Sequence, residues 1–155
     1  MRNSPSWAGR VAVVLLLALI LGVPVFGQEQ AARRAINGIL DRFEESFLEK
    51  DLAMIADLLA EEWIMASASR EGDGARLFTK EQYMRAEEYR FSQVTWLEHR
   101  HTDRRIDIRG PVATSTSTIV DKTTNGASRR SRVYHAYALL DGEWQVVFTS
   151  PNLAD

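Results

Sequence analysis

The chain has 155 residues, with 19 Lys and Arg against 21 Asp and Glu and no cysteine. That length suits one domain with one core. The missing thiols exclude disulfides, thiolate metal sites and a lipidated N-terminal cysteine. The mild acidity argues against nucleic acid as a partner, since the densest basic stretch, "RHTDRRIDIR" (100–109), is interrupted by Asp103 and Asp107 and reads as a solvated strand face.

Arg2 and Arg10 precede the apolar run Val11 to Val23, which is followed by Pro24 and the small-residue ending Val25-Phe26-Gly27. This order matches an export signal over residues 1–27, cleaved after Gly27, with a working domain over 28–155 outside the cytoplasm. The run is short for a membrane span, which needs about 20 apolar residues, so a membrane is a partner only if the segment stays uncleaved. Without residues 1–27 the domain carries 17 basic against 21 acidic residues.

Ile36, Ile39, Leu40, Phe43, Phe47 and Leu48 then recur at helical spacing and predict an apolar stripe on a long first helix. Asp51 is placed to cap a second, shorter helix whose Leu52, Ile55, Leu58 and Leu59 share a face. "EWIMASA" (62–68) reads as a strand, Gly72-Asp73-Gly74 as a turn, and "ARLF" (75–78) as a short strand pairing back. Thr79, with Gln82 three residues on, has the capping-box pattern of a third helix. From Val94 onward the chain is β-like, punctuated by Gly110-Pro111, Asn125-Gly126 and Asp141-Gly142. No repeat or linker interrupts it. The expected fold is α+β: a strongly bent, mainly antiparallel sheet packed on about three N-terminal helices as a cone-shaped cup.

The hairpin turns assign faces. A two-residue loop at Asp141-Gly142 places Val133, His135, Tyr137 and Leu139 opposite Ser150, Phe148, Val146 and Trp144. That bulkier face should turn to the helices, so His135 points inward beside Phe148. A two-residue loop at Asn125-Gly126 sets Thr114, Thr116 and Thr118 across from Tyr137, His135 and Val133. A row of inward hydroxyls suits a partly open cavity better than a packed core. At Gly110-Pro111 two registers remain open. A two-residue loop brings His99, His101, Asp103, Arg105 and Asp107 inside, whereas a three-residue loop brings Trp96, Ile106 and Ile108 inside and leaves the histidines out. The cost of burying that charge favours the second.

His135 is thus the expected acid–base residue, because an imidazole titrates near neutrality. Trp63, Ser67, Tyr83, Trp96, Thr116, Tyr137 and Phe148 are the expected ligand-contacting set, with Trp63 and Trp96 as an aromatic wall for a small apolar or aromatic molecule. His99-x-His101 alone is a weak metal signal, and neither metal nor organic cofactor is expected. The adjacent pairs Glu44-Glu45, Glu61-Glu62 and Glu87-Glu88 read as solvated surface. The outer sheet face, expected to carry Ala113, Ser115, Ser117, Ile119, Ala136, Ala138 and Val147, is flat and small enough to pair with a second copy as a homodimer.

"ILDRFEESFLEKDLAMIADLLAEEWIMAS" (39–67), "TKEQYM" (79–84) and the terminal "RVYHAYALLDGEWQVVFTSPNL" (132–153) together resemble the nuclear transport factor 2-like superfamily, and within it the SnoaL-like exported bacterial domains. The resemblance covers roughly residues 30 to 153. It implies a cone-shaped cup and leaves the activity open, since members include a ketosteroid isomerase, polyketide cyclases, a scytalone dehydratase, an epoxide hydrolase and non-catalytic assembly modules. Where the isomerase-like members carry a carboxylate base this chain has Ala66, Ser67 and Ala68. Asp103, Arg105 and Asp107 imitate the epoxide-hydrolase acids only in the disfavoured register. His135 with Tyr137 or Tyr83 echoes the dehydratases. Two readings follow: a small-molecule-binding cup with lyase or isomerase chemistry, or a non-catalytic binding or homodimeric assembly module.

Overall fold

A computed structural model describes residues 25–68 and 75–151. Residues 1–24 of the expected export signal and the Gly72-Asp73-Gly74 turn lie outside the described residues. The order is helix α1 (Val25–Glu49), helix α2 (Leu52–Leu58), strand β1 (Leu59–Ala68), strand β2 (Ala75–Thr79), helix α3 (Lys80–Gln93) and strands β3 (Trp96–Arg109), β4 (Val112–Thr123), β5 (Ser128–Leu140) and β6 (Glu143–Pro151). The strands form one sheet in the order β2-β1-β6-β5-β4-β3. Among the described residues only the β1–β6 pairing is parallel; the other neighbours run antiparallel. Among the described residues, no helix is long and apolar enough to cross a membrane.

The helix starts follow from local chemistry. Asp51 accepts a hydrogen bond from the Met54 amide at the head of α2. Thr79 and Gln82 form the reciprocal capping box of α3. On α1, Ile36, Ile39, Leu40, Phe43 and Phe47 are buried, which gives the helix its core face. Leu48 departs from the expected stripe and is 44% exposed. Ile55, Leu58, Leu59, Trp63, Phe91, Trp96, Tyr137 and Val146 complete the centre of the core.

Three irregularities do most to decide which residues face it. The β4–β5 loop has three residues, not two: Lys122 pairs with Ser128, the Thr123 amide donates to the Ala127 carbonyl, and Gly126 takes a φ of +83°. A residue in the left-handed region closing a three-residue hairpin shifts the register by one. Hence Ala113, Ser115 and Ser117, expected outside, are the buried inward row. Thr114, Thr116 and Thr118, expected inside, lie on the outer face. Ser115, not Thr116, stands across from His135.

The second is a bulge in β6. Tyr137 pairs with Val146 but Ala136 pairs with Phe148, so Val147 is an extra residue. From there on, pairing moves by one. His135 opposes Thr149 rather than Phe148, and Phe148 sits on the outer face, its ring 6.3 Å from that of Tyr134.

The third is a bulge in β3. Gly110-Pro111 is a two-residue loop, with Arg109 paired to Val112, so Ile106 and Ile108 pack on the core. Between Thr102 and Arg105 two residues oppose one, with Asp103 at a φ of 53°. Arg104 is drawn back to α1, where it pairs with Asp41 at 2.6 Å and with Glu44, and Glu44 also accepts from the His101 amide at 2.6 Å. The bulge lets both halves of β3 keep an inward set. His99 and His101 are buried, Ile106 and Ile108 pack half-buried against the core, and Asp103, Arg105 and Asp107 stay outside, while a further shift between Trp96 and Glu98 brings the buried Trp96 to the same face. The expected choice between registers therefore fails: the isoleucines and the histidines are both inside. Glu44, expected as solvated surface, is the anchor of this bulge.

Candidate functional site

The chain has three histidines, and all three meet at the wall of one cavity of about 220 Å³ between α1, α3 and the concave sheet face. Helix α1 supplies two rings one turn apart. Phe43 stacks on His135 at 5.8 Å between centroids, and Phe47 stacks on His99 at 4.2 Å. His101 lies between, 5.7 Å from His99 and 5.9 Å from His135 by ring centroids.

Each histidine is held by its Nδ1. His99 Nδ1 is 2.6 Å from Asp121 Oδ1, its cross-strand partner on β4. His101 Nδ1 is 2.8 Å from Ser117 Oγ, and His135 Nδ1 is 3.0 Å from Thr149 Oγ1. Thr149 also accepts from Trp63 Nε1 at 3.0 Å, which ties β1, β6 and β5 together under the cavity. Burial pushes His135 down to about 4. Burial, with His135, His99 and Arg104 nearby, pushes His101 down to about 2. Both rings are therefore neutral near pH 7.

The opposite wall comes from α3. Tyr83, Glu87 and Phe91 are spaced four apart, so they share the inward stripe of the helix. Glu87, expected as solvated surface, is 1% exposed. Its Oε1 accepts from Arg90 Nη2 at 2.8 Å, and its Oε2 has no partner. Burial raises its carboxyl above the ordinary value, and the Arg90 guanidinium offsets part of the rise. Burial and the adjacent Glu87 carboxylate hold the Tyr83 phenol protonated well above its ordinary range. Arg90 in turn lies over the Trp96 ring, 5.8 Å from its centroid.

Of the residues expected to meet a ligand, Trp63, Ser67, Tyr83, Trp96 and His135 line the cavity. Thr116 and Phe148 do not, because the loop and bulge described above turn them outward. Tyr137 points inward but lies outside the lining, with its hydroxyl 2.8 Å from Ser115 Oγ. Tyr89 is 70% exposed on the far side of α3. Asp121, Glu87 and Thr149 were missing from the expected set. The i, i+4 spacing of Tyr83, Glu87 and Phe91 was the available signal for Glu87; Asp121 carried none, since its face depends on the loop length. Among the described residues, no group of three or more His, Asp or Glu side chains is arranged to hold a metal ion.

A bent sheet wrapped round helices, with a polar-lined cavity at its concave face, defines the class: an α+β cone of the cystatin-like kind. More particularly, the chain has the nuclear transport factor 2-like fold. It is similar to an NTF2-like protein of unknown function from Pseudomonas putida KT2440, with a TM-score of 0.67 and 16% identity over 79% of this chain and 87% of that one. An NTF2-like protein from Cytophaga hutchinsonii gives a TM-score of 0.66 and 18% identity over 77% and 96%. A conserved protein from Planctomyces limnophilus gives 0.66 and 22% over 78% and 94%. No family model and no curated protein matches the sequence.

Proposed function

We propose that this chain is a small-molecule-binding cup that performs acid–base chemistry of the lyase or isomerase type on a small, largely apolar compound. The observation that carries this reading is the His99–Asp121 pair at the cavity wall. A carboxylate accepting from Nδ1–H leaves Nε2 as the basic nitrogen and stabilises the imidazolium formed when it takes a proton. In an isomerisation, His99 Nε2 removes a proton from a carbon beside a carbonyl and returns it to another carbon. In an elimination, the same proton leaves with a departing hydroxyl as water. His135 is neutral, with Nδ1 bonded to Thr149 and Nε2 closed off inside the wall, which moves the expected acid–base role from His135 to His99.

The competing reading, a non-catalytic binding module, draws support from the burial of His101 and His135 as neutral, hydrogen-bonded groups. Deuterium exchange separates the two. Cyclic ketones and β-hydroxyketones incubated with the full chain in D₂O should gain deuterium or eliminate water, and His99→Asn should abolish this. Equal rates for wild type and variant would remove the catalytic reading.

Two further features belong to the proposal. The basic, apolar and small-residue order of residues 1–27 supports export, checked by the N-terminal mass of the protein recovered from its native host. A homodimer through the outer sheet face is supported by an apolar band in which Ile64, Phe148 and Ala136 are successive cross-strand partners, with Tyr134 beside Phe148. Ile64 and Leu77 stay 43% and 66% exposed there.

A further inference from the structure

His99 and His101 share one face of β3, and their partners give them opposite tautomers. Asp121, a carboxylate, can only accept, so His99 carries its ring proton on Nδ1 and leaves Nε2 bare. Ser117 Oγ is buried and lies 2.8 Å from His101 Nδ1. If the ring donated there, the buried hydroxyl hydrogen would be stranded; if Ser117 donates, both atoms are served. His101 then carries its proton on Nε2. One ring presents a base and its neighbour an N–H donor, with centroids 5.7 Å apart and planes at 83°.

Both Nε2 atoms are open to the cavity. Among the described residues, the side-chain atoms that are closed off and without a partner are Glu87 Oε2 and His135 Nε2. The Nε2 atoms of His99 and His101 have no hydrogen-bond partner there either, yet they are not closed off. The two rings line the cavity and keep 4% and 6% exposure, so the surface they show is cavity surface.

The backbone of His101 is clamped on both sides. Its amide donates to Glu44 at 2.6 Å and its carbonyl accepts from Arg104 Nε at 2.9 Å, beside the bulge that turns this half of β3 inward. Bulges next to functional sites commonly re-aim a side chain. Burial holds the ring neutral, far below the ordinary histidine range. A neutral imidazole N–H can steady a developing oxyanion without giving up its proton outright.

We propose that His101 is a second catalytic residue of this cavity, its Nε2–H holding the substrate's carbonyl oxygen while His99 Nε2 takes the proton from the neighbouring carbon. This rests on the acid–base reading above and names the group that stabilises its intermediate. The C–H electron pair becomes the carbon–carbon double bond of an enolate, the carbonyl π pair moves to oxygen, and the proton rests on His99. Return of that proton to the same or another carbon, or of a deuteron in D₂O, reforms the carbonyl and frees both rings. The substrate class is a ketone or aldehyde with a hydrogen on the carbon beside its carbonyl. Ser117, Glu44 and Arg104 are positioning residues for His101.

The test follows deuterium uptake by cyclohexanone and acetophenone in D₂O with the full chain, alongside proton–nitrogen NMR of the imidazoles. In the wild type the nitrogen shifts should show Nε2 protonated on His101 and bare on His99, and cyclohexanone should move the His101 Nε2–H signal. His101→Phe keeps a flat ring beside Phe43 and His135 and removes the donor. It should lower kcat by about 10²–10³-fold, the usual weight of one such donor, with KM changed by less than about threefold. Ser117→Ala should shift the His101 proton between its two nitrogens and lower kcat by a smaller factor. Exchange that needs His99 but survives His101→Phe within about threefold overturns the proposal and leaves His99 as the base. A His101 proton on Nδ1 in the wild type overturns it too, whether or not the variant folds. If the wild type exchanges neither ketone, both fall.

Discussion

His99 and Asp121 face each other across neighbouring strands with Nδ1 and Oδ1 2.6 Å apart, and Phe47 stacks on the same imidazole. The ring is thus fixed both in plane and in tautomer. Asp121→Asn keeps the shape but offers the ring a donor or an acceptor instead of a carboxylate. It should lower proton-transfer activity by about 10²–10⁴-fold, the usual weight of one positioned acid–base group. Deuterium incorporation into a substrate ketone measures this directly, and a change of less than about threefold would remove His99 from the base position.

The buried histidines make stability depend on pH. Folded His135 and His101 bind protons far more weakly than the ordinary 6.5, at about 4 and about 2. The unfolded chain therefore protonates first as pH falls. Their contribution is complete above 6.5 and is lost on acidification through that value toward the folded ones. By pH 5 each should have cost about 2 kcal/mol. Glu87, whose carboxyl is raised, works in the opposite sense at lower pH. Urea unfolding at pH 7.5, 6 and 5 should show the loss, and His135→Phe should remove about half of it. A flat wild-type profile would contradict the buried, neutral assignment.

Phe47 links α1 to three other rings, meeting His99 face on and Phe91 and Trp96 edge on. Phe47→Ala should destabilise the fold by about 3–5 kcal/mol, the usual range for a buried phenylalanine. Denaturant midpoints at constant slope give the measurement, and a cost under 1 kcal/mol would show that the site collapses around the gap.

The outer apolar band predicts self-association. Sedimentation velocity should show a concentration-dependent dimer that Ile64→Lys dissociates by placing a charge at its centre without entering the core. A species that remains monomeric at high micromolar concentration would exclude this face as an interface.

Much of the local structure was legible because short-range chemistry writes it. Asp51 and the Thr79–Gln82 pair cap their helices as their types and spacing predict. The apolar period of α1 named Phe43 and Phe47. The Asp141-Gly142 turn set Leu140 opposite Glu143, and from it the inward direction of His135 followed. Trp63, Tyr83 and Trp96 were reached by the same bulk and period.

The sequence by itself determined the element order, the helix starts, the cup class and one inward histidine. Only the tertiary structure decided the company that histidine keeps. In a strand the side-chain period is two, so one inserted residue exchanges the faces of everything beyond it. The bulge at Asp103–Arg104 is held by Asp41 and Glu44, carboxylates some 60 residues away in sequence. The bulge at Val147 and the three-residue loop before Ala127 each shift the register by one as well. Together these irregularities bring His99, His101, Asp121 and Thr149 round the cavity and leave Thr116 and Phe148 outside. No local pattern encodes the bulge at Asp103–Arg104, because the carboxylates that hold it arrive only when the sheet closes on the helices.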